Sequence, residues 1–264
     1  MSVSTADLLA TIVAATRRIV EVRAQQMPTN ALPWTSRTPA GGAFARALRQ
    51  SASPRVIAEC KRRSPSKGIL RQSYDAVAHA RAYQAAGAAA ISVLTEPTFF
   101  DGSPRDLLAA RQAVSIPLLR KDFIVAEYQL FEAVALGADA VLLIVGALDD
   151  VTMRVLIERA HALGLATLVE VHEVEELQRA LDAGARIVGV NSRNLRTLSV
   201  DLSVLASVRS RLPAGVTSIA ESGIRSREDM ERLAAIGYDA FLVGERLMTQ
   251  PDPGRALREL RVGQ

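Results

Sequence analysis

From residue 55 onward, short apolar segments rich in branched side chains recur along the chain, and most gaps between them hold amphipathic Ala/Leu/Arg segments of helical length. The apolar segments are 55–60, 89–94, 117–121, 139–145, 165–171, 186–191, 216–221 and 239–244. Short apolar runs of this length suit parallel strands covered on both faces. Gly87, Gly137, Gly184 and Gly237 each stand just before such a run, where a glycine ends a helix in left-handed backbone. They sit in a loose internal repeat, exemplified by Leu-Gly-Ala-Asp-Ala and Ala-Gly-Ala-Arg-Ile.

Eight strands, each followed by a helical segment, fit a (β/α)8 barrel. A doubly wound open sheet shares the rhythm, but it usually has fewer strands and a glycine-rich first turn. No GxGxxG follows any strand here. The expected fold is therefore α/β, a (β/α)8 TIM barrel occupying 1–264 as a single domain, with residues 1–52 as an N-terminal helical extension. Within that extension, residues 4–26 have helical spacing, with Leu8, Ile12, Ile19 and Val22 near one face and Ser4 or Thr5 as cap. Residues 27–41 read as a Pro-containing connector carrying the only Trp, and 42–52 as a second short helix.

A chain of 264 residues buries enough surface to fold without disulfide or metal. Its single cysteine, Cys60, has no internal partner, which suits a reducing cytoplasm. Neither a secretory leader nor an apolar run of bilayer-spanning length is evident. A soluble cytoplasmic monomer with no membrane contact is expected. The net charge of +4 is modest, aromatics make up 4% of the chain, and the one dense basic cluster is Lys61-Arg62-Arg63. That pattern disfavours nucleic acid and suits an anionic small molecule.

Lysine is scarce: of 32 Lys and Arg residues, only Lys61, Lys67 and Lys121 are lysine. Arg keeps its proton, whereas a Lys whose pKa is lowered by its surroundings can trade one. Function in a barrel collects at the carboxyl ends of the strands. Those ends carry Glu59 and Lys61, Glu96, Lys121 and Asp122, Gly146, Glu170 and His172, Asn191 and Arg193, Glu221 to Gly223, and Gly244 with Glu245. Strand alternation puts Ile57, Glu59 and Lys61 on one face and Cys60 on the other, where it packs. By the same rule Lys121 shares a face with Leu119, Glu170 with Leu168, Asn191 with Gly189 and Ile187, and Glu221 with Ile219. Carboxylates and lysines would converge on the barrel mouth, shifting one another's pKa so that a Lys serves as acid and a Glu as base. An ordinary ion pair at a strand end remains the alternative for Glu59 and Lys61.

After the seventh and eighth strands, Glu221-Ser222-Gly223-Ile224 and Val243-Gly244-Glu245-Arg246 offer backbone N–H groups to an anion. The same glycines could serve turn geometry alone. Ser64 and Ser66 lack a nearby His and read as anion-binding hydroxyls rather than nucleophiles. His79 and His161 fall on helical segments, solvated or capping. His172 could touch substrate or be an ordinary loop residue, and no His or Cys has metal-ligand spacing.

Taken together, Glu59-Cys60-Lys61-Arg62-Arg63-Ser64-Pro65-Ser66-Lys67-Gly68, Leu119-Arg120-Lys121-Asp122-Phe123, Leu168-Val169-Glu170-Val171-His172, Val190-Asn191-Ser192-Arg193-Asn194-Leu195 and Glu221-Ser222-Gly223-Ile224 closely resemble indole-3-glycerol phosphate synthase. The resemblance runs from about residue 5 to the C-terminus. It implies cyclisation of a carboxyphenylamino-deoxyribulose phosphate with loss of carbon dioxide and water, a small sugar-phosphate substrate, and no metal or organic cofactor. It further implies Lys121 as the acid at the ketone, and Lys61 with Glu170 and Glu59 in the later steps. Asn191 and Glu221 would bind sugar hydroxyls or orient the acids. Ser64, Ser222, Gly223 and Gly244 would hold phosphate, and Phe123 and Leu195 would flank the aromatic ring, with Arg193 also on the substrate. Some members carry Ser where this chain has Glu245, so only the Glu245 backbone N–H is expected to help there. The loop 61–68 is expected to move over substrate. Another sugar-phosphate barrel enzyme, a Schiff-base aldolase using Lys121, or a silent barrel serving as scaffold stand as rivals.

Overall fold

The computed structural model describes residues 7–34 and 37–262. Eight parallel strands close into a barrel: Val56–Cys60, Ala90–Leu94, Leu118–Lys121, Ala140–Ile144, Ala166–Val171, Ile187–Asn191, Thr217–Glu221 and Ala240–Val243. Each pairs with its sequence neighbour, and the eighth closes onto the first through Val56↔Phe241 and Ala58↔Val243. Every strand begins one residue later than the apolar run suggests, and the carboxyl ends coincide except at the fourth and eighth, which stop one residue early.

Alternation divides the strand side chains between two cores. Ile57, Leu119, Leu168, Ile187, Ile219 and Leu242 fill the interior. Cys60, Val93, Val141, Val169, Val188 and Phe241 face outward and pack with helical residues such as Tyr83, Leu107, Leu130 and Leu156. Each large apolar side chain so buried contributes about 1.5–3 kcal/mol, so a one-residue register slip would exchange the two cores and is strongly resisted. Helices begin on side-chain caps, among them Asp75, Ser103 ahead of Pro104, and Ser226. Gly87, Gly137, Gly184 and Gly237 all have positive φ at the helix ends, as expected.

The N-terminal extension differs from expectation in detail. Its first helix is Leu8–Gln26, capped by Asp7, whose side chain accepts from the Ala10 N–H. Ser4 and Thr5 lie outside the described residues. The buried stripe is Leu9, Ile12, Thr16 and Val20, rotated from the one expected, with Ile19 and Val22 only partly buried. The connector contains a short 3-10 turn, Thr29–Ala31. The second helix, Gly41–Gln50, plugs the floor of the barrel with Phe44 and Leu48, both fully buried in the interior core. Gly41 must be bare, because a Cβ would lie 2.5 Å from the Ala166 backbone nitrogen. Asp139, buried beneath the floor, ties the extension down by accepting from the Ala40 N–H at 2.8 Å, from Arg37, from Arg111 at 3.1 Å and from the Leu118 N–H at 3.0 Å.

The polar loop after the first strand is folded into a small hairpin pairing Arg63–Ser64 with Gly68–Ile69. No helix among the described residues is long and apolar enough to cross a membrane.

Candidate active site

A cavity of about 370 Å³ opens at the carboxyl ends of the strands. All the side chains singled out as catalytic line it: Glu59, Lys61, Lys121, Glu170, Asn191 and Glu221. So do the expected binding residues Ser64, Phe123, Arg193, Leu195, Ser222, Gly223, Gly244 and Glu245. The strand alternation that fills the lower barrel with Leu and Ile turns these last inward positions toward the mouth.

At the centre is Lys121. Its ammonium donates to Glu170 Oε2 at 2.8 Å and to Glu221 Oε2 at 3.1 Å. Asn191 Nδ2 donates to the other Glu170 oxygen at 3.1 Å. Lys61 Nζ forms its own ion pair with Glu59 Oε1 at 2.6 Å. Glu59, Glu170 and Glu221 are buried, so the charges interact through a medium poorer than water.

The electrostatics depart from one expectation. Burial pushes the Lys121 pKa down, but the carboxylates of Glu170, Glu221 and Glu59 outweigh it and hold the amine above its ordinary value. Lys121 is a resident cation and not a lysine with a depressed pKa. The two carboxylates separate. Burial pushes Glu221 up, to about 8, with the Glu170 charge adding to the effect and Lys121 opposing it. Glu170 is also pushed up by burial, yet the Lys121 and His172 charges and its hydrogen bonds to Lys121 and Asn191 bring it below the usual carboxylate range. Like charges sharing one cation cannot both ionise freely, which makes one of the pair a proton carrier near neutrality.

Two glycines make room for these carboxylates. A Cβ on Gly189 would lie 2.1 Å from Glu221 Oε1, and one on Gly244 would lie 2.3 Å from Glu59 Oε1. Gly189 is a functional position that composition alone passes over; the available signal is a glycine inside a buried strand, which marks close approach. At the rim, Ser222 and Gly223 are successive left-handed residues, with φ of 66° and 73°. For Ser222 this is a strained conformation, of the kind that collects at functional sites. Ser64 is buried, with Ser66 Oγ 3.4 Å away. The carboxylate of Glu245 is taken up by Arg193 at 3.4 Å.

The opposite wall is apolar. Phe123 and Phe100 lie with ring centroids 6.0 Å apart, and Leu8 and Ile12 of the first helix face the same cavity. Phe100 was not anticipated. It is presented by Glu96, whose carboxylate accepts from the N–H groups of Thr98, Phe99 and Phe100 at 2.7–3.0 Å. Glu96 therefore shapes a loop instead of facing the cavity. Asp122 is likewise engaged, by Thr95 at 2.7 Å, buried Arg120 at 2.9 Å and the Phe123 N–H at 2.9 Å.

His79 is buried and stacked on Tyr74, not solvated or capping, because its apolar helix face turns inward. His161 is exposed, and His172 sits behind Glu170 outside the cavity lining. Cys60 packs in the outer core, where burial pushes its thiol pKa up. Among the described residues, no group of three or more His, Cys, Asp or Glu could hold a metal ion.

Comparisons with known proteins bear on this geometry. The family model described as indole-3-glycerol phosphate synthase matches residues 9–260. A protein of that name from Beutenbergia cavernae is 51% identical over 213 residues, covering 81% of this chain and 79% of the relative. Another, from Rhodococcus jostii, is 54% identical over 205 residues, covering 78% and 76%. Among solved structures, the N-acetylmannosamine-6-phosphate 2-epimerase from Clostridium perfringens superposes with a TM-score of 0.61 at 15% identity, covering 82% of this chain and 95% of that one. At that identity the likeness speaks for the barrel fold alone.

Proposed function

The chain belongs to the indole-3-glycerol phosphate synthase family, and we propose that Lys121, held between Glu170 and Glu221, is the acid of its ring closure. The enzyme converts a carboxyphenylamino-deoxyribulose phosphate to indole-3-glycerol phosphate with loss of carbon dioxide and water, a step in tryptophan biosynthesis. The observation that carries the assignment is the bridged ammonium on the cavity wall, 2.8 and 3.1 Å from two buried carboxylates.

The chemistry needs an acid first. The ring carbon bearing the carboxylate attacks the ketone carbon, and the displaced carbonyl electron pair takes a proton from Lys121. Because its carboxylate neighbours keep Lys121 protonated, the donor is loaded before substrate arrives, and transfer becomes favourable as charge builds on the oxygen. The carbon–carboxylate bond then breaks, carbon dioxide leaves, and its electron pair restores the aromatic ring. In the dehydration, the new hydroxyl leaves as water with a proton from Lys61, which Glu59 holds in place at 2.6 Å. Glu170 accepts the proton released from the adjoining carbon. Glu221, shifted toward neutrality, returns a proton to Lys121. Exchange with solvent takes the proton from Glu170 and restores those of Lys61 and Glu221, a net uptake of the one proton that loss of carbon dioxide from a carboxylate requires.

Asn191 orients Glu170. The left-handed turn at Ser222 and Gly223, the backbone at Gly244 and Glu245, and the Ser64 hydroxyl form the phosphate end, while Arg193 serves the substrate's anionic groups at the rim. Phe123 and Leu195 flank the anthranilate ring, with Phe100 beside Phe123. We read the chain as a single barrel domain acting as a cytoplasmic monomer. Supporting this, the extension shares the interior core through Phe44 and Leu48, and the one cysteine is buried.

The test is to mix purified protein with the carboxyphenylamino-deoxyribulose phosphate in EDTA and follow indole absorbance and fluorescence. Product from the parent protein and none from Lys121→Ala is expected. Full turnover by Lys121→Ala would remove the assignment.

A further inference from the structure

Besides Lys121, Asn191 and Glu221, the Glu170 carboxylate has His172 as a polar neighbour. His172 Nε2 lies 3.4 Å from Glu170 Oε1, and that buried nitrogen has no aligned hydrogen-bond partner among the described residues. Across the ring, His172 Nδ1 lies 3.4 Å from Glu176 Oε2. The same oxygen accepts the His172 backbone N–H at 2.7 Å. Glu176 stands in the first turn of the helix Val174–Asp182. Its carboxylate fits because residue 146 is glycine: a Cβ there would lie 2.9 Å from Glu176 Oε1. Leu9 of the first helix packs against the same spot.

The imidazole is thus enclosed, with 12% of its side chain exposed. Three carboxylates act on it: Glu170 from the fifth strand, Glu176 from the following helix and Glu221 from the seventh strand, with the Lys121 ammonium on the far oxygen of Glu170. The turn Val145–Ala147 and Leu9 bring no charge. Burial pushes the His172 pKa down, but the Glu176 hydrogen bond and the three carboxylates hold it above its ordinary value.

We propose that Glu176 and His172 form a carboxylate–imidazole support behind Glu170, which keeps that carboxylate ionised and turned onto Lys121. Neither residue lines the cavity, so both are positioning residues acting through Glu170. An imidazolium against Oε1 leaves Oε2 for Lys121, the oxygen that receives the ammonium at 2.8 Å. The inference rests on the assignment of Glu170 to the acid–base centre.

The experiment measures kcat and KM across pH for His172→Gln, Glu176→Gln and the double variant, alongside an NMR titration of the His172 imidazole. In the parent protein, kcat is expected to show an inflection at the imidazole's own midpoint. Glu176→Gln moves midpoint and inflection together to lower pH. His172→Gln removes the inflection and lowers kcat about tenfold, the effect of a carboxylate turned away from its productive position, leaving KM within about threefold. The double variant is no slower than His172→Gln, because the two residues act as one unit. An unchanged profile in His172→Gln, or additive losses in the double variant, would overturn the proposal. If His172→Gln fails to fold, a Glu176→Gln protein whose imidazole midpoint falls while its kcat profile stays put overturns it equally. Full turnover by Glu170→Gln would bring down the underlying assignment as well. An inactive Glu170→Gln beside an unaltered His172→Gln profile would defeat this inference alone.

Discussion

Gly189 and Glu221 compete for the same space: a methyl group on Gly189 would sit 2.1 Å from Glu221 Oε1. The bare backbone of the sixth strand is what allows the carboxylate of the seventh to reach across to Lys121. Gly189→Ala should therefore displace Glu221 without removing any functional group. A shift of about 1 Å in a reacting centre costs about 10²-fold in rate, and overpacking the interior costs about 1–3 kcal/mol. Steady-state kinetics with a thermal melt would show kcat lowered on that scale and a modest loss of stability. An alanine variant with parental kcat would mean that Glu221 does not need its present position.

Glu221 also sets a pH dependence of stability. Its folded-state pKa, pushed up to about 8, lies above that of a carboxyl in the unfolded chain. The stabilising contribution is fully present below about pH 4.3, the unfolded value. It is lost as pH rises through about 8, since the folded state then gives up a proton it had retained. Glu170 acts in the opposite sense, losing its contribution only in acid. Denaturant unfolding of Glu221→Gln should be less sensitive to pH between about 5 and 8 than the parent, and at pH 9 the variant should be the more stable protein. An identical slope in both proteins would contradict the raised pKa.

The floor of the barrel offers a test of the extension. Phe44 is fully buried among interior residues and lies at the end opposite the cavity. Phe44→Ala should cost about 3–5 kcal/mol in unfolding free energy, while kcat well below the melt changes by less than about twofold. A variant of parental stability would show that the second helix does not close the core.

The barrel was legible because its signal is local. Each strand is an apolar run, six of the eight with a glycine within three residues before it, and alternation within runs such as Val56–Cys60 assigns inward and outward faces without reference to neighbours. The polar residues of the mouth follow from the same rule, because Lys121, Asn191 and Glu221 end their strands, and Glu170 stands one residue before the end of its own, on the inward face. What was missed depends on relations across the fold. The clearance at Gly189 exists only once Asn191 is paired with Glu221 and Gly189 with Ile219. The Phe100 wall depends on a carboxylate, Glu96, folding back on its own loop. The stripe of the first helix is chosen by the barrel it covers, so Leu9, Thr16 and Val20 displaced the residues that spacing alone suggested. The direction of the Lys121 shift was equally out of reach, since it depends on the balance of burial against three carboxylates.

The central claim is that Lys121 gives its proton to the substrate ketone, and Lys121→Arg tests it most directly. Arginine keeps the positive charge but holds its proton too firmly to transfer it. Turnover at saturating substrate, measured together with substrate affinity, is expected to fall by about 10²-fold or more with binding retained. Near-parental turnover in Lys121→Arg would contradict the account, leaving Lys121 as a fixed charge and placing the acid elsewhere.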